Sequence, residues 1–482
     1  MRYRGGLRGR PDGAAARAFR WSPAFINVAG LSALVLLTGG SSRPDVWSLL
    51  ILRPAAVLSL GYGLWALTWT DINRHRFLFS MAAAIMALVV ISLIPLPPAL
   101  WTSFGGRDII VAIDAATGLR GTWRPISMAP ELTWNAMFSL AVPLAILING
   151  VRLTNAEHRL TMLVMLAGGV LTMIAALGQI AGGGDPWLYP YLHSSFGEPS
   201  GLFSNRNHEA LFLAALLPVI GVFFVRTGAD GRSAKPAMFL IAVGTLVIVA
   251  FLLVLGSRAG LVAGAVGLLA LTLSAFVARD RRASAKRTRW LMAAFGFASV
   301  AAILGAGIML GNARSVQRFM TDDRREELRY QIWPVIADAV PSYMPFGTGI
   351  GTYERVFRII EPNAILRPTY SNHAHNDWLE VAYTGGVPGI VLMIVAVVGF
   401  AVAAWRLRRV RIAGARLMAG AGLVIIFIAA IGSVIDYPLR TPILSVLFTL
   451  SCLWVASGLR AKHDEVGLPA GDQNMSQNWK RT

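Results

Sequence analysis

A single cysteine, Cys452, stands in the 482 residues, inside the last apolar run, so no disulfide can form within the chain and thiol chemistry does not fix its redox compartment. Charge is scarce too. Asp, Glu, Lys and Arg make up 14% of the residues, against roughly 25% in ordinary globular domains. Acids are the scarcer sign, 25 against 44 basic residues, which leaves a formal net charge of +19. Within the oily stretches ionisable groups are few; Arg53 is the clearest, close enough to the outer end of its run to snorkel. Transporters and proton pumps place such groups inside their spans, so this scarcity counts against that class.

What is abundant is apolar sequence, 55% of the chain. Crossing roughly 30 Å of hydrocarbon takes about 20 apolar residues in a helix. Runs of that length recur near residues 24–40, 47–69, 77–97, 133–151, 159–181, 209–226, 237–255, 259–278, 290–310, 386–405, 416–435 and 440–458. An all-α integral membrane protein with about twelve transmembrane helices follows, since in lipid each backbone group must bond within its own segment. The pair of runs around GSRAG also reads as one long interrupted segment.

A strongly basic chain invites a nucleic-acid partner, but the charge is distributed otherwise. Lys and Arg gather in MRYRGGLRGR, NRHR, RDRRASAKRTR, WRLRRVRIAGAR and the C-terminal tail, which share one side if each run crosses once. That is the positive-inside pattern; it puts both termini in the cytoplasm and leaves no nucleic-acid role. The N-terminal basic lead and apolar stretch lack a convincing A-x-A site, so they read as an uncleaved first span. The organisation expected is a membrane domain of nine spans over residues 1–310, a periplasmic loop domain over 311–385, a second membrane domain over 386–460 and a cytoplasmic tail over 461–482.

The outward connections then fall near 98–132, 182–208, GSRAG, 311–385 and DYPLRTP at 436–442. A connection of about 75 residues far exceeds the usual 12–15 for one without structure, so it is expected to be folded or functional. Within it REELRYQIWPVIADAV sets Leu328, Ile332, Val335 and Ile336 at helical spacing, which predicts an amphipathic helix against the membrane face. PFGTGIGTYERVF has the glycine spacing of a dinucleotide fingerprint but no preceding strand; glycines turning the chain into a second helix explain it better.

Polar groups collect at the outer ends of the runs, a placement suited to a substrate with its tail in lipid and its head in water. Arg258 breaks two apolar runs in GSRAG, either snorkelling or binding a headgroup anion. Arg329 lies one turn before Trp333, either on a solvated face or facing a ligand. In GLFSNRNHEALF, Asn207 can cap the sixth span and Glu209 can favour its positive end, which leaves Arg206 and His208 without a structural reason. In SNHAHNDWLEVAYTGGVPG a helix is expected from Asp377 with Asn376 as its cap, His375 just ahead of it, and Gly385, Gly386 and Gly389 bending the chain before the tenth span. A histidine is the commonest general base. A metal site at His373, His375 and Asp377 is disfavoured: spacing of two needs an extended ligand strand, and no further His-rich or Cys-rich element supports it.

HNDWLEVAYTGGVPG resembles the H-N-x9-G-x-x-G pattern of the O-antigen ligase and polymerase family, with His375, Asn376, Gly386 and Gly389 in the fixed places. FSNRNHEALF is similar to its N-R-N-H segment, LGSRAG to its S-R-A-G turn, Arg329 and Trp333 to its R-x-x-x-W, and ISMAPELTWNA to the lead-in to its fourth or fifth helix; the likeness runs over roughly residues 120–460. The resemblance implies a GT-C-like glycosyltransferase of the bacterial inner membrane, active at the periplasmic face without cofactor or metal. Its donor would be an undecaprenyl-diphosphate-linked glycan, its acceptor a lipid A core or a growing polysaccharide. It further implies His375 as base with Arg258 and Arg329 on the leaving diphosphate, Asp377 or Glu380 as fallback bases, and Asn205, Arg206, His208, His373 and Asn376 as substrate-binding residues. DYPLRTP looks closest to members associated with exopolysaccharide or O-antigen loci. A ligase is expected first; a polymerase or protein O-oligosaccharyltransferase of the same fold comes next, then a transporter of bicarbonate or lipid-linked sugar, and last a non-catalytic scaffold.

Overall fold

A computed structural model of the chain describes residues 21–194, 196–227, 234–277, 324–366 and 370–461. The run expected near 290–310, the loop RDRRASAKRTR and both charged tails lie outside the described residues. The described helices are α1 (Pro23–Thr38), α2 (Leu49–Ala66), α3 (Trp69–Arg74), α4 (Arg76–Ile91), α5 (Pro98–Trp101), α6 (Asp108–Ala116), α7 (Pro130–Ser139), α8 (Ala141–Gly150), α9 (Asn155–Ala181), α10 (Arg206–Thr227), α11 (Ala234–Leu255), α12 (Arg258–Val277), α13 (Arg324–Ala339), α14 (Tyr353–Ile360), α15 (Asp377–Leu407), α16 (Ala413–Ile435) and α17 (Pro442–Arg460). Among the described residues the one β feature is an isolated bridge between Leu96 and Arg124.

Among the described residues, seven segments are long and apolar enough to cross a membrane, and four shorter apolar helices, at Pro23–Thr38, Arg76–Ile91, Phe239–Leu255 and Arg258–Ser274, fall on other expected runs. The run expected at 133–151 forms as α7 and α8, abutting at Leu140. Pro143 explains the break: it has no N–H to give the carbonyl of Ser139 four residues back. Arg53 does not simply snorkel to the surface; its guanidinium donates to Asn135 and, at 3.5 Å, to Ser139 of α7.

The bundle is built around α10, where residues 210–217 are all buried. Helices close on it through small residues, as expected where lipid removes the hydrophobic drive to associate and close packing must supply it. A Cβ on Gly260 of α12 would meet Ala210 at 2.3 Å, and one on Gly432 of α16 would meet Leu211 at 2.9 Å. Contacts between chain segments define two ends. At one, Ser204 N–H donates to Gly40 O (3.1 Å) and Ile443 N–H to Gly39 O (3.2 Å). At the other, Ser22 N–H donates to Glu157 Oε1 (2.9 Å) and Arg460 to Arg74 O (2.6 Å).

The segment before α15 forms a second, smaller core. Ile332 and Ile336 of α13, the predicted amphipathic helix, are buried with Tyr343, Tyr353, Val356, Phe357, Ala374 and Tyr383. The expected glycine turns are present: Gly347, Gly349 and Gly351 have φ of 73°, 103° and 84° and lead into α14.

The α16–α17 contact can be tested at Gly422, where a Cβ would lie 2.6 Å from Ser451 O. Gly422→Val is expected to lower stability by about 1–3 kcal/mol through overpacking, read as a reduced thermal midpoint in detergent; an unchanged midpoint would refute this close approach.

Candidate functional site

The turn between α16 and α17, DYPLRTP, folds back into the protein. Asp436 follows directly on Ile435 in extended conformation and is 1% exposed. A carboxylate in such a place must be paired, and this one is shared. Its oxygens accept from His375 Nδ1 (3.1 Å), Asn207 Nδ2 (3.2 Å), Asn205 Nδ2 (3.4 Å) and the N–H of Tyr437 (3.1 Å). His208 Nε2 lies 3.7 Å away and Arg329 Nη2 3.9 Å away. Burial alone would push the Asp436 carboxyl up; the neighbouring His208 and His375 imidazoles outweigh it and hold the group well below the usual carboxylate range.

His375 reaches this carboxylate from a left-handed backbone, φ 52°, uncommon for a residue with a side chain. The expected cap stands beside it: Asn376 Oδ1 accepts from Leu379 N–H (3.0 Å) and starts α15 at Asp377. Burial lowers the His375 pKa and the bond to Asp436 opposes that, so at neutral pH the ring is uncharged and its Nδ1–H is directed at the acid. Nε2 is left as the acceptor on a side chain 23% exposed.

A second acid, Glu380, works in parallel. It takes His373 Nδ1 (3.2 Å), the N–H of Ala374 (2.8 Å) and Arg440 Nη2 (3.0 Å), while Arg440 Nε donates to Asp377 (2.7 Å). Burial would lower the Arg440 pKa; Glu380 and Asp377 more than reverse it, so it stays a cation. The ring of Tyr437 separates the two groups, with centroids 4.4 Å from His373, 4.8 Å from His375 and 5.1 Å from His208. Two indoles fix the frame: Trp333 donates to Ala374 O (2.8 Å) and Trp378 to Ala430 O (3.0 Å).

The sequence-predicted residues therefore separate by placement. Asn205, His208, Arg329 and His375 meet at Asp436, and His373, Asp377 and Glu380 meet around Arg440. The cap of α10 is Asn205, whose Oδ1 accepts from Asn207 N–H (2.8 Å), not Asn207, whose side chain turns to Asp436. Glu209 is buried against Thr172 (3.1 Å). Arg206 pairs with Glu198 (2.6 Å). Arg258 is exposed at the first turn of α12, placed near the start of α10 by the Gly260–Ala210 contact. Arg329 donates to Ile435 O (3.2 Å), and its buried Nε has no hydrogen-bond partner among the described residues. Sequence reading passed over Asp436, Tyr437 and Arg440. The signal available was an acid and a base four residues apart, in the short connection between two oily runs of a chain where charge is costly.

Residues 243–394 match the model of a family described as O-Antigen ligase. Over that stretch the chain is similar to the O-antigen ligase family. The match takes in Arg258, Arg329, His373, His375, Asn376, Asp377 and Glu380 and ends before Asp436, so the ligase-family segment receives its central acid from outside the matched range. Activity of the O-antigen ligase or polymerase type, that of a glycosyltransferase-like membrane enzyme acting on lipid-linked glycan, is what the family suggests. No curated protein matches the chain.

Arg440→Met leaves Asp377 and Glu380 without their cation and is expected to cost about 3–5 kcal/mol, as removal of one partner of a buried pair does. Thermal unfolding checks this. Adding Glu380→Gln to Arg440→Met should recover part of the loss, and a midpoint unmoved by Arg440→Met would refute the pairing.

Proposed function

We propose that this protein transfers a glycan from a polyprenyl-diphosphate carrier to an acceptor hydroxyl at the periplasmic face of the bacterial inner membrane. The observation that carries this reading is the His375–Asp436 pair, with the imidazole Nε2 open beside an arginine whose Nε is unspent. The acid holds His375 in the tautomer that accepts a proton at Nε2 and stabilises the imidazolium that results.

In the step proposed, the acceptor O–H approaches the anomeric carbon on the face opposite the diphosphate. The new carbon–oxygen bond forms as the bond to the phosphate oxygen breaks, and the hydroxyl proton passes to His375 Nε2. Negative charge grows on the leaving diphosphate, where Arg329 and Arg258 supply guanidinium donors. Attack from the opposite face inverts the anomeric centre. This chain's own groups account for each proton and charge, so the reaction is assigned no metal. The side-chain amides of Asn205 and Asn207 hold Asp436, and His208, 1% exposed, is closed to the sugar. A lipid A core acceptor gives a ligase; a second carrier-linked chain gives a polymerase.

Transfer by the reconstituted protein from lipid-linked glycan, in the presence of a chelator, tests this directly. His375→Ala and Asp436→Asn are expected to lose about 10²–10⁴-fold of the rate while remaining folded; wild-type rates in both would overturn the assignment. The pH profile supplies a second check. Because burial depresses the His375 pKa, the base stays deprotonated as pH falls through the ordinary histidine value of about 6.5, and kcat/KM drops only at more acid pH. Asp436 opposes that depression, so Asp436→Asn should move the acid limb lower still. A wild-type limb above pH 7 would exclude His375 as the base.

A further inference from the structure

Arg107 opens α6, far along the chain from every residue of the site, and is 2% exposed. Its Nη2 donates to Ile126 O (2.7 Å) and Gly347 O (3.1 Å), and Nη1 reaches Gly105 O (3.5 Å). None of these partners is a carboxylate. Burial lowers its pKa to about 10, against the opposing influence of Tyr343 and Tyr383, so it remains a cation at neutral pH. A buried guanidinium held by carbonyls alone is costly, which directs attention to what those carbonyls do.

Gly347 begins the glycine turn that crosses the break in α15. In an unbroken helix Tyr383 O would take the N–H of Val387, and Thr384 O would take that of residue 388, which is a proline and has none. At Gly386 the backbone leaves helical geometry (φ 57°, ψ −150°). The stranded carbonyls are satisfied by the glycine turn: Thr348 N–H donates to Tyr383 O (3.1 Å) and Gly349 N–H to Thr384 O (2.9 Å), while Val387 N–H donates to Pro345 O (2.8 Å). Turn and break interlock without room for side chains, since a Cβ on Gly386 would lie 2.3 Å from Pro345 O and one on Gly347 2.5 Å from Thr384 O. The outer side of the turn is gripped by the first outer loop, through Arg107 on Gly347 O, Met128 N–H on Thr348 O (2.9 Å) and Thr133 on Ile350 O (2.7 Å).

We infer that Arg107 is a positioning residue for transfer: by fixing Gly347 it sets the angle of residues 377–385 against the remainder of α15, and with it the approach of His375 to Asp436. The inference rests on the reading of His375 as the base. Arg107 touches no reacting atom; it acts through the turn and the break.

The test uses the full-length protein in liposomes, with Arg107→Met, Arg107→Lys, Gly386→Ala and the Arg107→Met/Gly386→Ala double variant. Arg107→Met is expected to lower kcat about 10- to 100-fold, the scale of a misplaced catalytic group, with the donor KM changed by less than about twofold. Arg107→Lys should recover part of kcat, because it keeps a donating cation but on a stem one atom shorter than the one that carries Nη2 to both carbonyls. The double variant should fall no further than the worse single, since both act on one element. Spin labels at Ala382 and Val434, with Cys452 replaced by Ser, report the angle without reference to activity, and Arg107→Met should shift or broaden their distance distribution. Unchanged kcat, additive singles or an unmoved distance each overturn the inference. If Arg107→Met is not recovered folded, Arg107→Lys decides, and wild-type kcat with wild-type distance refutes it. If even the wild type transfers no glycan, the catalytic reading has failed, and the distance measurement alone then decides whether Arg107 positions the helix.

Discussion

One end of this bundle depends on one buried carboxylate. Asp436 sits where α16 hands the chain to α17, and its two oxygens draw together the start of α10, the segment before α15 and the helix α13. An ionised acid at 1% exposure is sustained only by this company of donors. The converse also holds: the histidine and asparagine side chains it gathers would each be a stranded polar group without it. A single site of negative charge therefore ties this end together and, on the reading proposed, orients the base.

Two features keep the arrangement from collapsing into one salt-bridge cluster. Tyr437 places its ring between the two carboxylate groups, so His375 answers to Asp436 and His373 to Glu380. Arg440 meanwhile binds Asp377 and Glu380, tying the first turn of α15 to the turn that bears Asp436. The same short connection thus supplies an acid, an aromatic spacer and a base, and each engages α15 or the residues leading into it.

The break in α15 shows how backbone accounting can couple distant loops. A helix that lacks a donor at Pro388 leaves carbonyls that lipid cannot satisfy, and the glycine turn at 345–351 satisfies them at a distance in sequence. The break lies nine residues into α15, at the same end as the polar site. That location fits a site opening at the bundle's end, whereas a transporter would be expected to carry its interruptions and polar groups near mid-span.

Much of this was legible in the sequence. Apolar length fixes spans because hydrocarbon thickness is a property of the solvent, and the described apolar helices fall on the expected runs. The helix start at Asp377, its cap at Asn376 and the bend at Gly386 were legible because capping and left-handed glycine geometry are local properties of a few residues. Arg53 and Asn207 were misassigned because their partners, Asn135 on α7 and Asp436 in the turn after α16, lie far away in sequence. The roles of Asp436, Tyr437, Arg440 and Arg107 were not legible at all: each is defined by contacts across 60 residues or more, such as the 61 that separate His375 from Asp436 or the 240 that separate Arg107 from Gly347. The sequence by itself determined which solvent each segment meets and where each helix begins. Only the tertiary structure decided which acid meets which base, because pairing of buried charge is a matter of distance in space, and no local pattern encodes it.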